Sequence, residues 1–325
     1  HHGTGVTGIY PRSVGLGTAA AGGAIGMIVS CGEALVDLVP EAVPGGGPMN
    51  VAVAATRLGA PSAFVGRVST DEHGQLIWRH LEANGVDLGA CERGDEPTAR
   101  AVVRHVPQLV FEFEGDDTAD TMLSRLDLTG LGPGPHLLHG GTLGFFRGRT
   151  AEVLADAVER HDGIVSLDPN VRPDIVDDRD RWDHFHQRWL AHAHIYKASE
   201  EDLAWVWPNR APESSAERLL EGAVRAVFVT RGPDGVSVFT DEGHLDVPSP
   251  RVEVADTVGA GDTFAASVLV SLHDRAEGAG PAALAGVATD DWRAIAGRAA
   301  AAAAINCSRV GADPPTRTEL DAFLG

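Results

Sequence analysis

The stretch Val254-Ala255-Asp256-Thr257-Val258-Gly259-Ala260-Gly261-Asp262-Thr263-Phe264 constrains this chain more than any other. Two glycines within three residues permit a tight turn and a close approach of backbone to a ligand. The apolar run after them, Phe264, Ala265, Ala266, Val268, Leu269 and Val270, continues as a buried helix. A strand end, a glycine turn and a helix N-terminus are expected in succession. The unpaired N–H groups of Gly259, Ala260 and Gly261, with the positive end of the helix dipole, then favour an anion such as a transferring phosphoryl group. Asp262 is the discordant member, because a carboxylate in a phosphate cradle repels its ligand unless it has a separate task. Accepting the proton of a substrate hydroxyl as general base is that task. Taken alone, a Gly-x-Gly-Asp string fits equally a plain turn followed by an acidic first-turn residue.

Composition narrows the partners. A formal charge of −20 over 325 residues sets the protein's own field against nucleic acid or an anionic membrane, so a bound phosphate must be neutralised locally. No apolar stretch is long enough to span a bilayer. The three cysteines, Cys31, Cys91 and Cys307, are few, odd in number and preceded by nothing resembling a secretory signal; a reduced cytoplasm is expected. Lys197 is the only lysine among 26 basic residues, and an ammonium does not replace a guanidinium where space is tight.

Residues 1–26 are rich in Gly, Ala and Thr, lack periodicity and read as a tag or tail outside the fold. Residues 27–325 read as one domain. Met27 to Gly32 is a buried strand, followed by an alternating segment interrupted by Asp37. Gly45-Gly46-Gly47-Pro48-Met49-Asn50 opens a helix over Val51 to Leu58 that Gly59 closes. Ala63 to Val68 reads as a strand and Gly74 to Asn84 as a helix. Thr98 to Val106 and Leu109 to Glu114 alternate as a hairpin with one wet face. Beyond His136, strand and helix patterns follow in turn (Leu137 to His139, Thr150 to His161, Ile164 to Leu167, the segment around Trp189 to Tyr196, Ser214 to Gly222, Ala226 to Val229), which implies a parallel sheet covered on both faces.

In such sheets ligands bind beyond the carboxyl ends of strands. Three polar strings fall there: Asp168-Pro169-Asn170-Val171-Arg172-Pro173, Lys197-Ala198-Ser199-Glu200-Glu201-Asp202 and Thr230-Arg231-Gly232-Pro233-Asp234-Gly235. A proline-bounded turn and a Ser N-cap with acidic first-turn residues are the bland alternatives for the first two. His184 with His186, and His192 with His194, are spaced i,i+2, do not share a helix face, and are expected on solvated surface rather than on a metal.

The string Asp256 to Phe264 closely resembles the C-terminal signature of the ribokinase-like sugar kinases, also called the PfkB family, and Gly45 to Gly59 is similar to its N-terminal signature. The resemblance covers Met27 to the C-terminus. It implies a ribokinase-like α/β fold, a mostly parallel sheet with helices on both faces, and a small β-sheet lid built from segments near 34–41 and 98–115. It implies ATP-dependent phosphorylation of a sugar hydroxyl with Mg²⁺ bridging the ATP phosphates, Asp262 as base and the Gly259, Ala260 and Gly261 amides as anion hole. For the sugar it implies Asp37, Gly46, Gly47 and Asn50, with Asn170 and Arg172 near the transferred phosphate. For ATP it implies Thr230, Gly232, Gly235 and Lys197, and for metal-bound water Asp202. Asp256, the Val258 carbonyl and Gly311 resemble a monovalent-cation site, so K⁺ is expected to stimulate, although Pro315 stands where some relatives offer a hydroxyl. The strings from Gly32 to Asp37 and from Asp168 to Pro173 look most like those of fructokinases. A 2-keto-3-deoxygluconate or nucleoside kinase, and a non-catalytic sugar-binding protein on the same fold, are the alternatives. Lid sheets in the family often pair, so a homodimer is expected.

Overall fold

The structure, a computed structural model, describes residues 26–39, 41–106, 108–131, 136–275 and 280–325, and among these it describes no side chain of 103–112. The tail expected over residues 1–26 lies outside them except for Gly26. Fourteen strands are described: β1 Ile28–Cys31, β2 Leu35–Val39, β3 Glu41–Gly45, β4 Ser62–Val65, β5 Arg67–Ser69, β6 Glu92–Gly94, β7 Arg100–Val106, β8 Gln108–Glu114, β9 Leu137–Gly141, β10 Val165–Asp168, β11 Ile195–Ser199, β12 Ala226–Thr230, β13 Val236–Thr240 and β14 Gly243–Val247. The helices are α1 Gly47–Arg57, α2 Glu72–Ala83, α3 Gly148–Glu159, α4 Arg179–Leu190, α5 Glu200–Val206, α6 Pro212–Leu219, α7 Ala260–Arg275, α8 Thr289–Cys307 and α9 Arg317–Leu324.

Eight strands form one sheet in the order β14-β13-β12-β11-β10-β9-β1-β4. From β4 to β12 every pairing is parallel, and the β12-β13-β14 end is antiparallel. That antiparallel hairpin was not foreseen. Alternate residues of each central strand feed opposite cores: Ile28, Leu137, Ile195 and Phe228 pack with α1, α7 and α8, while Val29, Leu138, Leu167 and Val229 pack with α3, α4 and α6. Burial on both faces is why these strands read as nearly unbroken apolar runs.

The chain winds outward from β1 to β4 through α1, then restarts at β9 and winds the other way through β10, β11 and β12. The order therefore reverses between β1 and β9, and the crevice beyond their carboxyl ends is where such a sheet takes a ligand. A second sheet, β3-β2-β7-β8, forms the lid at the two expected segments. One strand expectation was wrong in detail. Ala63 to Val68 is not continuous: at Gly66 it leaves the main sheet, and β5 pairs with β6 instead. Among the described residues no helix is long and apolar enough to cross a membrane.

Candidate active site

The glycine turn opens α7 as expected, but the strand end expected before it is not there: β14 ends at Val247 and residues 248–257 belong to no strand. Gly259 has φ +75, and a Cβ there would lie 2.6 Å from that of Ala312, so neither conformation nor space admits a side chain. Ala260 N makes a long 3.3 Å bond to Thr257 O, and among the described residues no acceptor takes the N–H of Gly261. The Gly261 N–H is thus an orphan donor of the α7 N-terminus and that of Ala260 is weakly held, in a turn of intermediate exposure.

Asp262 lies in the first turn of α7 and is buried. Its Oδ2 accepts from Asn50 Nδ2 at 2.8 Å, which ties α7 to α1 and one sequence signature to the other. Burial holds its carboxyl above the ordinary aspartate range, and the Asn50 bond, Lys197 and Arg172 pull it partly back. A carboxylate with a raised affinity for protons, anchored on one oxygen, suits a general base. A Cβ on Gly47 would lie 3.5 Å from Asp262 Oδ1 and 2.5 Å from Thr142 Oγ1. Bare backbone thus borders Asp262 Oδ1.

Across the sheet's carboxyl edge, Lys197 Nζ donates to Asp168 Oδ2 at 2.7 Å, with both side chains buried. Burial lowers the lysine's proton affinity, but Asp168, Asp202 and Asp262 outweigh it and keep the ammonium charged. Burial pushes the Asp168 carboxyl up to about 6, against the pull of Lys197. Among the described residues Asp168 Oδ1 has no hydrogen-bond partner. Asp202, by contrast, is fully engaged. Its Oδ2 accepts from Ser199 N and Oγ in a capping box that starts α5, and its Oδ1 accepts from Val171 N at 2.7 Å. A metal-bound water could reach Asp202 only by sharing those oxygens, so the capping role weighed for this segment is the one the geometry displays.

In the second sheet, Asp37 pairs in register with Ala101 and with Val43, and Ala101 with Phe113, so these residues share one face of the lid. A Cβ on Gly45 would stand 2.5 Å from Asp37 Oδ2. Burial raises Asp37 and Arg172 opposes this, which brings Arg172 within electrostatic reach of both Asp37 and Asp262. Arg172 Nη1 donates to Asn170 Oδ1 at 2.8 Å, and Asn170 Nδ2 donates to Thr142 Oγ1 at 3.3 Å. Asn170 and Thr142 both hold positive φ, at 37 and 52, a strained choice for non-glycine residues that is concentrated at this edge. Gly46 has φ +116 and accepts the first α1 bond, from Asn50 N.

Thr230 ends β12, and Gly232 and Gly235, with φ +54 and +100, bracket a single 3-10 turn beside it. Asp256 accepts from Val258 N at 3.1 Å and Gly311 N at 2.9 Å; burial would raise it, but these donors hold it low. The Val258 carbonyl accepts from the buried Asn306 Nδ2 at 2.8 Å. The three residues expected around a monovalent cation are thus brought together.

Two further groups went unassigned from sequence. Glu33 is fully buried and accepts from Gly47 N at 3.1 Å and Gly144 N at 2.8 Å, stitching the β1 loop to both neighbouring glycine turns. Its place at the end of β1 was a usable signal. Asn306 had none, lying inside an apolar helix. The histidine expectation needs correcting: His186 is buried, stacks on Trp182 at 4.7 Å and bonds the Tyr196 hydroxyl at 2.9 Å, and His194 Nδ1 accepts from Val165 N. Only His184 is exposed as expected.

The sequence pattern of the pfkB family carbohydrate kinases matches residues 39–319. The chain belongs to the pfkB family of carbohydrate kinases. A fructokinase of Rhizobium leguminosarum bv. trifolii is 36% identical over 260 residues, covering 76% of this chain and 79% of that relative. The fructokinase of Xylella fastidiosa, solved with bound ATP, superposes with a TM-score of 0.83 at 26% identity, covering 91% of this chain and 97% of that one. A double-mutant fructokinase of Vibrio cholerae O395, in a form that holds fructose, ADP and a potassium ion, superposes with a TM-score of 0.77 at 26% identity, over 94% and 100% of the two chains. As a pfkB-family enzyme the protein is an ATP-dependent phosphotransferase acting on a carbohydrate hydroxyl.

Proposed function

We propose that this kinase phosphorylates a neutral hexose, with fructose the preferred substrate, and that Asp262 is its general base. The observation that carries this reading is the 2.8 Å bond from Asn50 to Asp262, which sets the base between the sugar-side glycine turn and the α7 anion hole. Asp37, Gly46, Gly47 and Asn50 hold the sugar. Asp262 Oδ1 takes the proton of the attacking hydroxyl, and the Gly259, Ala260 and Gly261 amides bind the phosphoryl oxygens. Asn170 and Arg172 lie near the group in transit, while Thr230, Gly232, Gly235 and Lys197 hold ATP.

The residues fit a nucleotide carried with Mg²⁺. A Cβ on Gly261 would lie 2.8 Å from Lys197 Nζ, so bare backbone and an ammonium stand side by side at the turn, and among the described residues Asp168 Oδ1 is an unpaired acceptor at the same edge. Among the described residues no three acidic, histidine or cysteine side chains form a direct cage. Mg²⁺ bound to the phosphates and reached through water, with Asp168 or Asp202 as outer partner, matches that donor set, and it neutralises phosphate charge when bound. Asp256, Val258 and Gly311 are the monovalent-cation group, for K⁺.

Substrate charge favours a neutral sugar. A carboxylated sugar needs a cation to offset its desolvation; Asp37, Ala101 and Phe113 on the cleft face of the lid supply none themselves, and the nearby guanidiniums are already opposed by carboxylates, Arg147 on Phe113 by Asp120 at 3.3 Å and Arg172 by Asp37. Arg104, the residue whose position most threatens this reading, lies outside the described side chains. The kinship with fructokinases from two bacteria supports the same choice. ADP release measured across fructose, glucose, ribose, a nucleoside and 2-keto-3-deoxygluconate tests it: fructose should give the highest kcat/KM. A higher value for the keto-acid would overturn the neutral-sugar reading, and no release with any sugar would favour a non-catalytic sugar-binding protein.

A homodimer is proposed from the family likeness alone, since Val39 and Val43, 52% and 46% exposed, lie on the same lid face as Asp37 and border the cleft. Light scattering of the purified protein checks it. The three free cysteines accord with a reducing compartment such as the cytoplasm.

A further inference from the structure

The turn between β9 and α3 grips the lid at two corners. At one, Gly144 N donates to Glu33 Oε2 just ahead of β2, and the other oxygen of that carboxylate takes Gly47 N at the start of α1. At the other, Arg147, the residue before α3, reaches the end of β8. Its Nη1 donates to Asp120 Oδ2 at 3.3 Å, its Nη2 donates to the carbonyl of Gly115, and its guanidinium carbon lies over the Phe113 ring, 4.7 Å from the centroid. Both members of the ion pair are buried, their side chains 12% and 2% exposed. Asp120 is fixed in turn: its Oδ1 accepts from Thr118 Oγ1 at 2.5 Å, and its carbonyl accepts from Thr150 Oγ1 of α3 at 2.6 Å. A Cβ on Gly115 would stand 2.7 Å from Arg147 Nη2 and 2.1 Å from the Phe113 ring, so only bare backbone lets the two side chains meet there. A planar guanidinium donates along its edge to an anion and a carbonyl while its face covers a ring, and an ammonium has no such face. Phe113 packs against the core that holds Leu143 and Phe146, and it shares its lid face with Asp37 and Ala101.

Resting on the reading that the sugar lies under the lid face that carries Asp37, we propose that Arg147 is a positioning residue for the sugar. It holds Phe113 and the end of β8 down on the main domain, and Asp120 holds the arginine. The row Asp37, Ala101, Phe113 runs across three lid strands, so fixing its Phe113 end fixes the tilt of the whole face over the cleft. The Asn50 to Asp262 bond joins α1 to α7 and has no part in this contact. Freeing the pin should therefore weaken the hold on the sugar while the base and the nucleotide site keep their geometry.

Four variants test this: Arg147→Lys, Arg147→Met with Asp120→Asn, Phe113→Leu, and Asp37→Ala as a control on the sugar site itself. Each is followed by KM and kcat for the sugar of highest kcat/KM, by calorimetric titration with Mg²⁺-ATP without sugar, and by thermal melting. Arg147→Lys keeps a cation for Asp120, and the Met and Asn pair leaves no buried charge without its partner, so both should melt close to wild type. In these two and in Phe113→Leu, KM for the sugar should rise about tenfold, the weight of one desolvated cation–ring contact with its hydrogen bond, while kcat stays within about threefold and ATP affinity is unchanged. Because the arginine acts through the ring, Arg147→Lys combined with Phe113→Leu should raise KM by less than the product of the two single effects. If the pair only stabilises the fold, Arg147→Lys and the Met and Asn pair recover wild-type KM along with the melting temperature, and that result overturns the proposal. A loss confined to kcat, or ATP affinity lost in step with the sugar, would overturn it too, as would single effects that simply multiply. A sugar KM unmoved by Asp37→Ala would overturn the proposed sugar site together with this proposal, while a KM raised by Asp37→Ala alone would overturn this proposal and leave the sugar site standing.

Discussion

Asn50 donates to Asp262 across 212 residues of sequence, at 2.8 Å, and this bond is where the two ends of the chain become one site. Asn50 comes from the first turn of α1, directly after the triple glycine, and Asp262 from the first turn of α7. Removing the donor as Asn50→Ala should free the carboxylate to rotate and deprive its charged form of a hydrogen bond. The expected outcome is a fall in kcat of about 10- to 100-fold, with the acid limb of the pH–rate profile moved to higher pH because the base then binds its proton more tightly. A pH–rate profile of the variant superimposable on wild type would refute the anchoring role.

Glu33 links stability to pH. Two backbone N–H donors favour its carboxylate, yet burial prevails and the acid is pushed up to about 8 from an ordinary value of 4.5. The folded state therefore binds more protons than the unfolded one between those values. Stability from this group is present below about 4.5 and is lost as pH rises toward about 8, at no more than ~1.4 kcal/mol per pH unit. Glu33→Gln should be less stable at pH 5, since one N–H would face an amide NH₂, and its melting temperature should decline less between pH 5 and pH 8. Parallel slopes for the two proteins would contradict this.

Monovalent cations provide a third check. Asp256 bonds Val258 N and Gly311 N, and Asn306 holds the Val258 carbonyl, in the loop that leads directly into the anion hole. An ion bound there would fix the turn that Gly259 begins. K⁺ should raise turnover over a bulky organic cation at equal ionic strength, and equal rates would remove the cation from the account.

Much of the architecture was legible because it rests on local rules. Glycine turns before apolar helices located α1 and α7, and the wet alternation of Thr98 to Glu114 marked the lid hairpin. What escaped depends on partners far along the chain. After the turn at Gly232 to Gly235, β13 and β14 continue the sheet antiparallel, and their apolar alternation does not state strand direction. His186 was expected on the surface because its i,i+2 spacing from His184 offers no shared metal-binding face, but a tyrosine hydroxyl and a tryptophan face satisfy it inside the core. Glu33 escaped because a carboxylate is read as exposed until backbone donors are found for it. At Ser199 the capping signal and the metal signal occupy the same letters, and only the geometry shows Asp202 closing the capping box.

The central claim is that Asp262 takes the proton of the sugar hydroxyl, and Asp262→Asn tests it most directly. The substitution keeps size and shape while removing the basic oxygen, and the amides of the anion hole should be untouched. Sugar-dependent ADP release should fall about 10²- to 10⁴-fold, while ATP affinity by calorimetry stays nearly constant or tightens, since one negative charge has left the cradle. An Asn variant that keeps a third or more of wild-type kcat would contradict the assignment, leaving Asp262 as an acidic first-turn residue of α7.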